Sequence, residues 1–314
     1  ITAAQVNNNS SDACGIASMT LSQTDFDCTD IGSNSVTLTV TDNNGNASTC
    51  NAAITVEDNM SPSAICQNLT VQLDATGAAS ITAAQVGSNS TDNCDITMTL
   101  NQTDFDCDDV GANTVTLTVT DDGGNPNTCT ATITVEDNID PTVVCQNLTV
   151  QLDASGAASI TAGQVDNGSF DNCGIASMSL DQTTFGCGDV GTNTVTLTVT
   201  DTNGNQNTCT ATITVEDNIN PTAICQNLTV QLDANGAASI TAGQVDNGSF
   251  DNCTIASMAL SQTDFTCADV GSNAVTLTLT DSNGNQSTCS ATITVEDNIN
   301  PTAICQNLTV QLDA

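Results

Sequence analysis

The chain has 314 residues, with 36 Asp and Glu and no Lys, Arg or His, giving a formal net charge of −36 at pH 7. An average chain of this length would carry roughly 35 to 40 Lys and Arg, and without them the carboxylates have no internal ion-pair partner and must stand apart in water or share bound cations. This excludes nucleic acid as a partner, because no basic patch exists to meet phosphate, and it excludes a membrane-spanning helix, because no apolar run approaches ~20 residues.

Self-comparison finds one unit repeated four times. Cys14, Cys94, Cys173 and Cys253 recur about every 80 residues, and the other three cysteine positions keep the same period. Each Val-Glu-Asp-Asn run is soon followed by Pro62, Pro141, Pro221 or Pro301, and proline cannot continue a central strand. These prolines set the expected boundaries: a partial repeat 1–61 lacking its first strand, whole repeats 62–140, 141–220 and 221–300, and the first strand of a further repeat at 301–314. The segment starts at Ile1 with no signal-peptide pattern, so it is expected to lie within a longer polypeptide. The two end pieces are complementary. Either they belong to a continuous fibre, or the 301–314 strand of one copy completes residues 1–61 of the next.

In chain order through the third repeat, Leu148, Val150 and Leu152 alternate with Asn147, Thr149 and Gln151, the period-two pattern of a half-buried strand. A turn follows at 153–156, then strand candidates at 160–165 and 175–180, separated by the turn-rich stretch 166–173. Val195, Leu197 and Val199 alternate with threonines, residues 201–205 turn, and Ile213 and Val215 mark the last strand. Short strands with turns every roughly 8 to 12 residues predict an all-β fold: tandem immunoglobulin-like β-sandwich repeats of about 80 residues forming an elongated rod. Six Phe and no Trp or Tyr leave thin aliphatic cores. Phe170 and Phe250, in otherwise polar loops, are expected to cap the core or the junction. Asn147 and Asn227 stand in Asn-Leu-Thr sequons.

The run Pro221-Thr-Ala-Ile-Cys225, Phe250-Asp-Asn-Cys253, Val275-Thr-Leu-Thr-Leu-Thr-Asp281 with Asn283-Gly-Asn285, then Ser287-Thr-Cys289 and Val295-Glu-Asp-Asn298 resembles the hyalin-repeat family. The resemblance covers all four copies. It implies an immunoglobulin-like module used in tandem in extracellular adhesive proteins, including long bacterial surface proteins. One departure matters: Gly236-Ala-Ala-Ser239 stands where the family has a cysteine, and Cys267 is extra. The family's disulfide pairing therefore does not transfer.

Sixteen cysteines with no His and no Cys-x-x-Cys point to disulfides and an oxidising compartment. Four per repeat allow three connectivities. In an immunoglobulin-like fold the first and last strands run parallel and adjacent, so Cys145 is expected to pair with Cys209, and likewise Cys66 with Cys129 and Cys225 with Cys289. Elimination within each repeat then pairs Cys173 with Cys187, Cys94 with Cys107, Cys253 with Cys267 and Cys14 with Cys28. The short pairs are awkward, because a straight eight-residue strand after Cys173 carries the chain ~26 Å away. Either that strand is short and bent, or the pairing differs. Cys50 and Cys305 are left for partners outside this chain.

All four Glu, at 57, 136, 216 and 296, fall in the Val-Glu-Asp-Asn motif at the expected junctions. By analogy with the calcium-stiffened linkers of cadherins, that motif faces the top loops of the next repeat. The candidate ligands are Glu57 and Asp58 with Asp92 and Asp121; Glu136, Asp137 and Asp140 with Asp171, Asp201 and Asn203; Glu216 and Asp217 with Asp251, Asp281 and Asn283; and, at the end, Glu296 and Asp297. Oxygen-only ligands suit Ca²⁺, which takes six to eight of them, whereas zinc has no His or free thiolate to use. The competing explanation for the Asp, Asn and Gly clusters is tight-turn chemistry alone.

General acid–base catalysis has only carboxylates to work with, on a scaffold lacking aromatic sugar platforms, so no enzymatic activity is expected. The reading is an extracellular structural protein, a calcium-rigidified and disulfide-stabilised unit of a fibre, filament or adhesin stalk. Its partners are copies of itself or flanking repeats of the same long chain. An adhesin repeat binding a surface glycan or receptor, and a passive spacer, are the alternatives.

Overall fold

The structure, a computed structural model, describes residues 1–311. The chain divides into two compact units. One comprises Ile1–Pro141 with Asp171–Ile175 and Asp201–Asn205, and the other Thr142–Phe170, Ala176–Thr200 and Gln206–Ala314.

In the first unit, β1 (Ile16–Leu21), β2 (Gly32–Asp42) and β3 (Ala47–Val56) form a three-stranded antiparallel sheet. The second repeat follows with β4 (Leu69–Gln72), β5 (Ala79–Ser80), β6 (Ile96–Leu100), β7 (Asp104–Phe105), β8 (Gly111–Asp121) and β9 (Pro126–Glu136). Its sheets have the orders β4-β9-β8-β6 and β5-β7. β4 lies parallel to β9, pairing Leu69 with Ile133, so the first and last strands are neighbours. The inward residues Val115, Leu117 and Val119 of β8 and Ala131, Ile133 and Val135 of β9 close over Phe105 and Val86 as one core. In the partial repeat the same face lacks a first strand, and Ile54 and Val56 are only half-buried.

The other unit repeats the pattern twice. The third repeat has β10 (Leu148–Gln151), β11 (Ala157–Ser159), β12 (Ile175–Leu180), β13 (Thr184–Gly186), β14 (Gly191–Asp201) and β15 (Gln206–Glu216). The fourth has β16 (Leu228–Gln231), β17 (Ala237–Ser239), β18 (Ile255–Leu260), β19 (Asp264–Thr266), β20 (Gly271–Asp281) and β21 (Gln286–Glu296). Sheet orders are β10-β15-β14-β12 and β16-β21-β20-β18, each facing a two-stranded sheet, β11-β13 or β17-β19. The chain is thus an all-β series of tandem sandwich repeats of about 80 residues. The sequon asparagines tie first to last strand: Asn147 Oδ1 accepts the Thr212 N–H at 2.8 Å, and Asn227 Oδ1 the Thr292 N–H at 2.8 Å.

Two expectations change. Residues 160–165 are not a strand: Ile160 is buried, and α1 (Ala162–Val165) is a single helical turn. Thr161 and Gln164 make a capping box, with the Thr161 N–H donating to Gln164 Oε1 at 2.8 Å, and the turn drives Val165 into the core. Phe170 and Phe250 do not cap anything, being 62% and 59% exposed. Their backbones are engaged instead, each bridging to Thr142 or Thr222, which leaves the rings outside.

Candidate metal centres at the repeat junctions

Each repeat ends on a strand whose alternation points Val135, Val215 or Val295 inward, so the following Glu faces outward and the Asp after it falls at the junction. The Glu side chains serve the sheet. Glu136 Oε2 accepts from Gln72 Nε2 at 2.6 Å, Glu216 Oε2 from Gln151 Nε2 at 2.6 Å, and Glu296 makes the same bond with Gln231. Glu136, Glu216 and Glu296 thus each form a rung beside a parallel first strand, whereas Glu57 lines a cleft with Asp58, Asn93 and Cys94; the acidic clusters themselves are made of Asp.

The aspartates converge. Asp58 with Asp92 and Asp121, Asp137 with Asp171 and Asp201, and Asp217 with Asp251 and Asp281 each bring one carboxylate oxygen per residue within 4.8 Å of the others. At the second of these, Asp137 is 5% exposed and Asp201 1%. Asp137 Oδ1 accepts the Ile139 N–H and Asn172 Nδ2, at 3.2 and 3.1 Å, while its Oδ2 is buried with no hydrogen-bond partner. Asp171 Oδ2 accepts the Cys173 N–H at 2.9 Å, and again the second oxygen is buried without a partner. Asn172 Oδ1 is a third such atom. Asp201 is held by the Asn203 and Asn205 N–H groups, both at 2.8 Å, and by Asn205 Nδ2, which also donates to the Asp137 carbonyl at 3.0 Å. The third junction reproduces this: Asp217 Oδ2, Asp251 Oδ1 and Asn252 Oδ1 are buried and unpartnered, and Asn285 bridges Asp281 to the Asp217 carbonyl. At the first, both Asp58 oxygens are bonded, to the Met60 N–H and to Asn93 Nδ2.

Asn205 and Asn285, not Asn203 and Asn283, turn into the junction. Asn203 and Asn283 are exposed and contribute their backbone N–H to the turn. Gly204, at φ +97°, supplies the left-handed step between the two asparagines. Asp140 is exposed, and Asp297 makes one contact, accepting the Ile299 N–H at 3.0 Å. Asn172 and Asn252 escaped the sequence reading, although their recurrence in Asp-Asn-Cys was the available signal.

The disulfides place a covalent bond beside each triad. Cys66–Cys129, Cys145–Cys209 and Cys225–Cys289 join first to last strand within repeats, as expected. The short pairs do not form. Cys28 bonds Cys94, Cys107 bonds Cys173, and Cys187 bonds Cys253, each linking one repeat to the next. The pairings Cys14–Cys28, Cys94–Cys107, Cys173–Cys187 and Cys253–Cys267 fail because the chain after the first cysteine of each pair runs into an extended strand, β1, β6, β12 or β18, that carries it away from that cysteine. There the next repeat supplies a cysteine of its own. The approach is close: a Cβ on Gly77 would lie 2.9 Å from the Asn172 carbonyl oxygen, and one on Gly156 2.7 Å from that of Asn252. Cys14, Cys50, Cys267 and Cys305 are free and exposed.

Hydrogen bonds set the charge state of the supporting turns. Burial raises the Asp281 carboxyl, but the Asn285 amide and the Asn283 and Asn285 N–H groups together hold it below the ordinary value of 3.8; Asp121 is lowered in the same way by Asn125. The Thr76 hydroxyl and N–H lower Asp74, and the Ser155 hydroxyl with the Ala157 N–H lowers Asp153. A depressed carboxyl stabilises the fold fully above its unfolded value and loses that contribution as pH falls through the folded one. The chelated protein is expected to hold its melting temperature down to about pH 4 and to lose it progressively below, as read by circular dichroism melts between pH 5 and 2.

These features define a class: a tandem array of β-sandwich repeats with disulfide-linked, acidic junctions. No family model matches the chain, and no curated protein matches it. Among solved structures it is similar to protocadherin gamma B2 extracellular cadherin domains 1–5, at 14% identity over 91% of this chain and 74% of that one, with a TM-score of 0.32. It is also similar to Drosophila N-cadherin EC1-4, at 12% identity over 84% and 83%, with a TM-score of 0.31. Among the described residues no helix is long and apolar enough to cross a membrane.

Proposed function

We propose that this chain is a structural extracellular repeat array whose junctions are locked by Ca²⁺ as well as by disulfides, serving as the shaft of a fibre or adhesin stalk built from hyalin-type modules. Repeats bounded at residues 62, 141, 221 and 301 are the units of that shaft. One observation carries the reading: at two successive junctions, two carboxylate oxygens and an asparagine oxygen are buried without any donor. Burying unpaired anionic oxygen costs several kcal/mol per group, and the chain has no side-chain cation to offset it. The donor set is entirely oxygen, from three carboxylates, an amide and nearby carbonyls, which fits a hard divalent ion of calcium's size. Asp137, Asp171, Asp201 and Asn172 would hold it at one junction, and Asp217, Asp251, Asp281 and Asn252 at the next. Bound there, Ca²⁺ supplies charge compensation and a rigid link between adjoining loops. Titrating the chelated chain with CaCl₂ while following its melting temperature tests this. A rise of several degrees that saturates with Ca²⁺ is expected, and a flat response overturns the reading.

A further inference from the structure

The disulfides overlap along the chain. Cys28–Cys94, Cys107–Cys173 and Cys187–Cys253 alternate with Cys66–Cys129, Cys145–Cys209 and Cys225–Cys289, and each bridge begins before the previous one ends. Every peptide bond from Cys28 to Cys289 therefore lies inside at least one bridged loop, so no single backbone break in that span separates the chain.

A pull along the chain follows the shortest covalent path, and two such routes run side by side. One crosses the junction bonds and uses only the segments 94–107 and 173–187, which hold β6 with β7 and β12 with β13. The other crosses the bonds within repeats and uses 129–145 and 209–225, which hold most of β9 and β15. Either route takes about 13 to 16 residues from a repeat of about 80, a segment that extends to at most ~45 to 60 Å. In the second repeat, residues 66–94 and 107–129 are bypassed by both routes. They carry Leu73, Ile81, Val86, Val115, Leu117 and Val119, the larger part of that repeat's buried core. β8 belongs to neither route yet stands between them in the sheet. It pairs with β9 from Gly111 opposite Val135 to Thr120 opposite Pro126, and with β6 from Ile96 opposite Asp121 to Leu100 opposite Leu117. Ladder bonds lie across the strands, so tension along β6 or β9 shears the set together instead of opening it pair by pair. β14 and β20 hold the same place in the third and fourth repeats.

We propose that the array is a tension-bearing tether of limited extension, in which two covalent routes run in parallel and either one alone holds the chain. The proposal stands on the bonds and not on the calcium reading. A repeat held by packing alone lengthens by its whole contour when force unfolds it. Here an unfolded repeat lengthens by little more than one bridged segment, and most of its core residues lie off the pulled path. Redundancy has the same origin: without Cys107–Cys173 the chain is still held through Cys66–Cys129 and Cys145–Cys209, and without those it is held through the junction bonds. Unfolding under tension thus stops short of separation, which suits a shaft that is loaded repeatedly.

Single-molecule stretching of the 1–314 chain between its ends tests this, in chelator, without reductant, and with the free thiols of Cys14, Cys50, Cys267 and Cys305 alkylated beforehand. The fully stretched length is expected at about 400 Å, rising to about 1,100 Å after dithiothreitol. Cys107→Ser with Cys173→Ser, or Cys145→Ser with Cys209→Ser, is expected to lengthen the stretched chain by less than about a tenth, and all four substitutions together by about half. Cys66→Ser with Cys129→Ser is expected to behave as the other single pairs do, which keeps the test open where one variant fails to fold. A chain that reaches about 1,100 Å before reduction, or a single pair within a repeat whose loss alone lengthens the chain by about half, overturns the inference.

Discussion

Neutralising the third junction with Asp217→Asn and Asp251→Asn is expected to lower the melting temperature in calcium and to leave it unchanged or raise it in chelator. The substitutions keep side-chain size and an acceptor oxygen for the Ile219, Asn252 and Cys253 donors. They remove two of three charges brought within 4.8 Å. Two unit charges ~4 Å apart repel by about 4 kcal/mol at an effective dielectric of 20, so without metal the native triad opposes folding and its neutralised form does not. With metal the sign reverses, because a ligand at a hundredfold excess over its Kd stabilises the folded state by about 2.7 kcal/mol, and the variant forfeits that. Turn chemistry alone predicts the same small loss in both conditions. Equal destabilisation with and without Ca²⁺ would therefore return these aspartates to a purely structural role.

How far the residues foretold this arrangement depends on the geometry each inference needed. Strands such as β14 and β15 were readable because alternation of Val195, Leu197 and Val199 with threonine is a one-dimensional signal. The short pairing of β11 with β13 was not, since Ala157–Ser159 offers no alternation of size and is held by its partner. The meeting of Asp137, Asp171 and Asp201 followed from knowing which loops share one end of a sandwich. The turn containing Asn203 and Asn205 offers two identical amides, and only the backbone angle at Gly204 decides that the second faces inward. The glutamates show that position along the chain is not direction: Glu216 and Asp217 are consecutive, yet Glu216 bonds Gln151 on the sheet while Asp217 joins the aspartate cluster. The cysteine error had another source. Elimination presumed that each repeat closes on itself, although the length of the strand after Cys173 already made its nearest cysteine an awkward partner.

Cleaving the denatured, unreduced chain after its four Glu is expected to leave residues 1–296 as one covalent species. Glu57, Glu136, Glu216 and Glu296 divide the sequence so that the four cysteines of every complete repeat fall in one fragment, and Cys28–Cys94, Cys107–Cys173 and Cys187–Cys253 each cross a cleavage point. Pairing inside repeats would release those fragments separately, so one unreduced gel decides between the connectivities. The same bonds have an energetic signature. Cys187–Cys253 and Cys225–Cys289 span 66 and 64 residues, and loop closure assigns each about 4 kcal/mol, so the size of the loss cannot tell a junction bond from a core bond. The shape of the transition can, because a repeat array melts as one body only while neighbours are coupled. Cys187→Ser with Cys253→Ser in chelator is expected to split the calorimetric transition, freeing the fourth repeat to melt by itself. Cys225→Ser with Cys289→Ser is expected to lower the melting temperature without splitting it, because the junction bond still ties the weakened repeat to its neighbour.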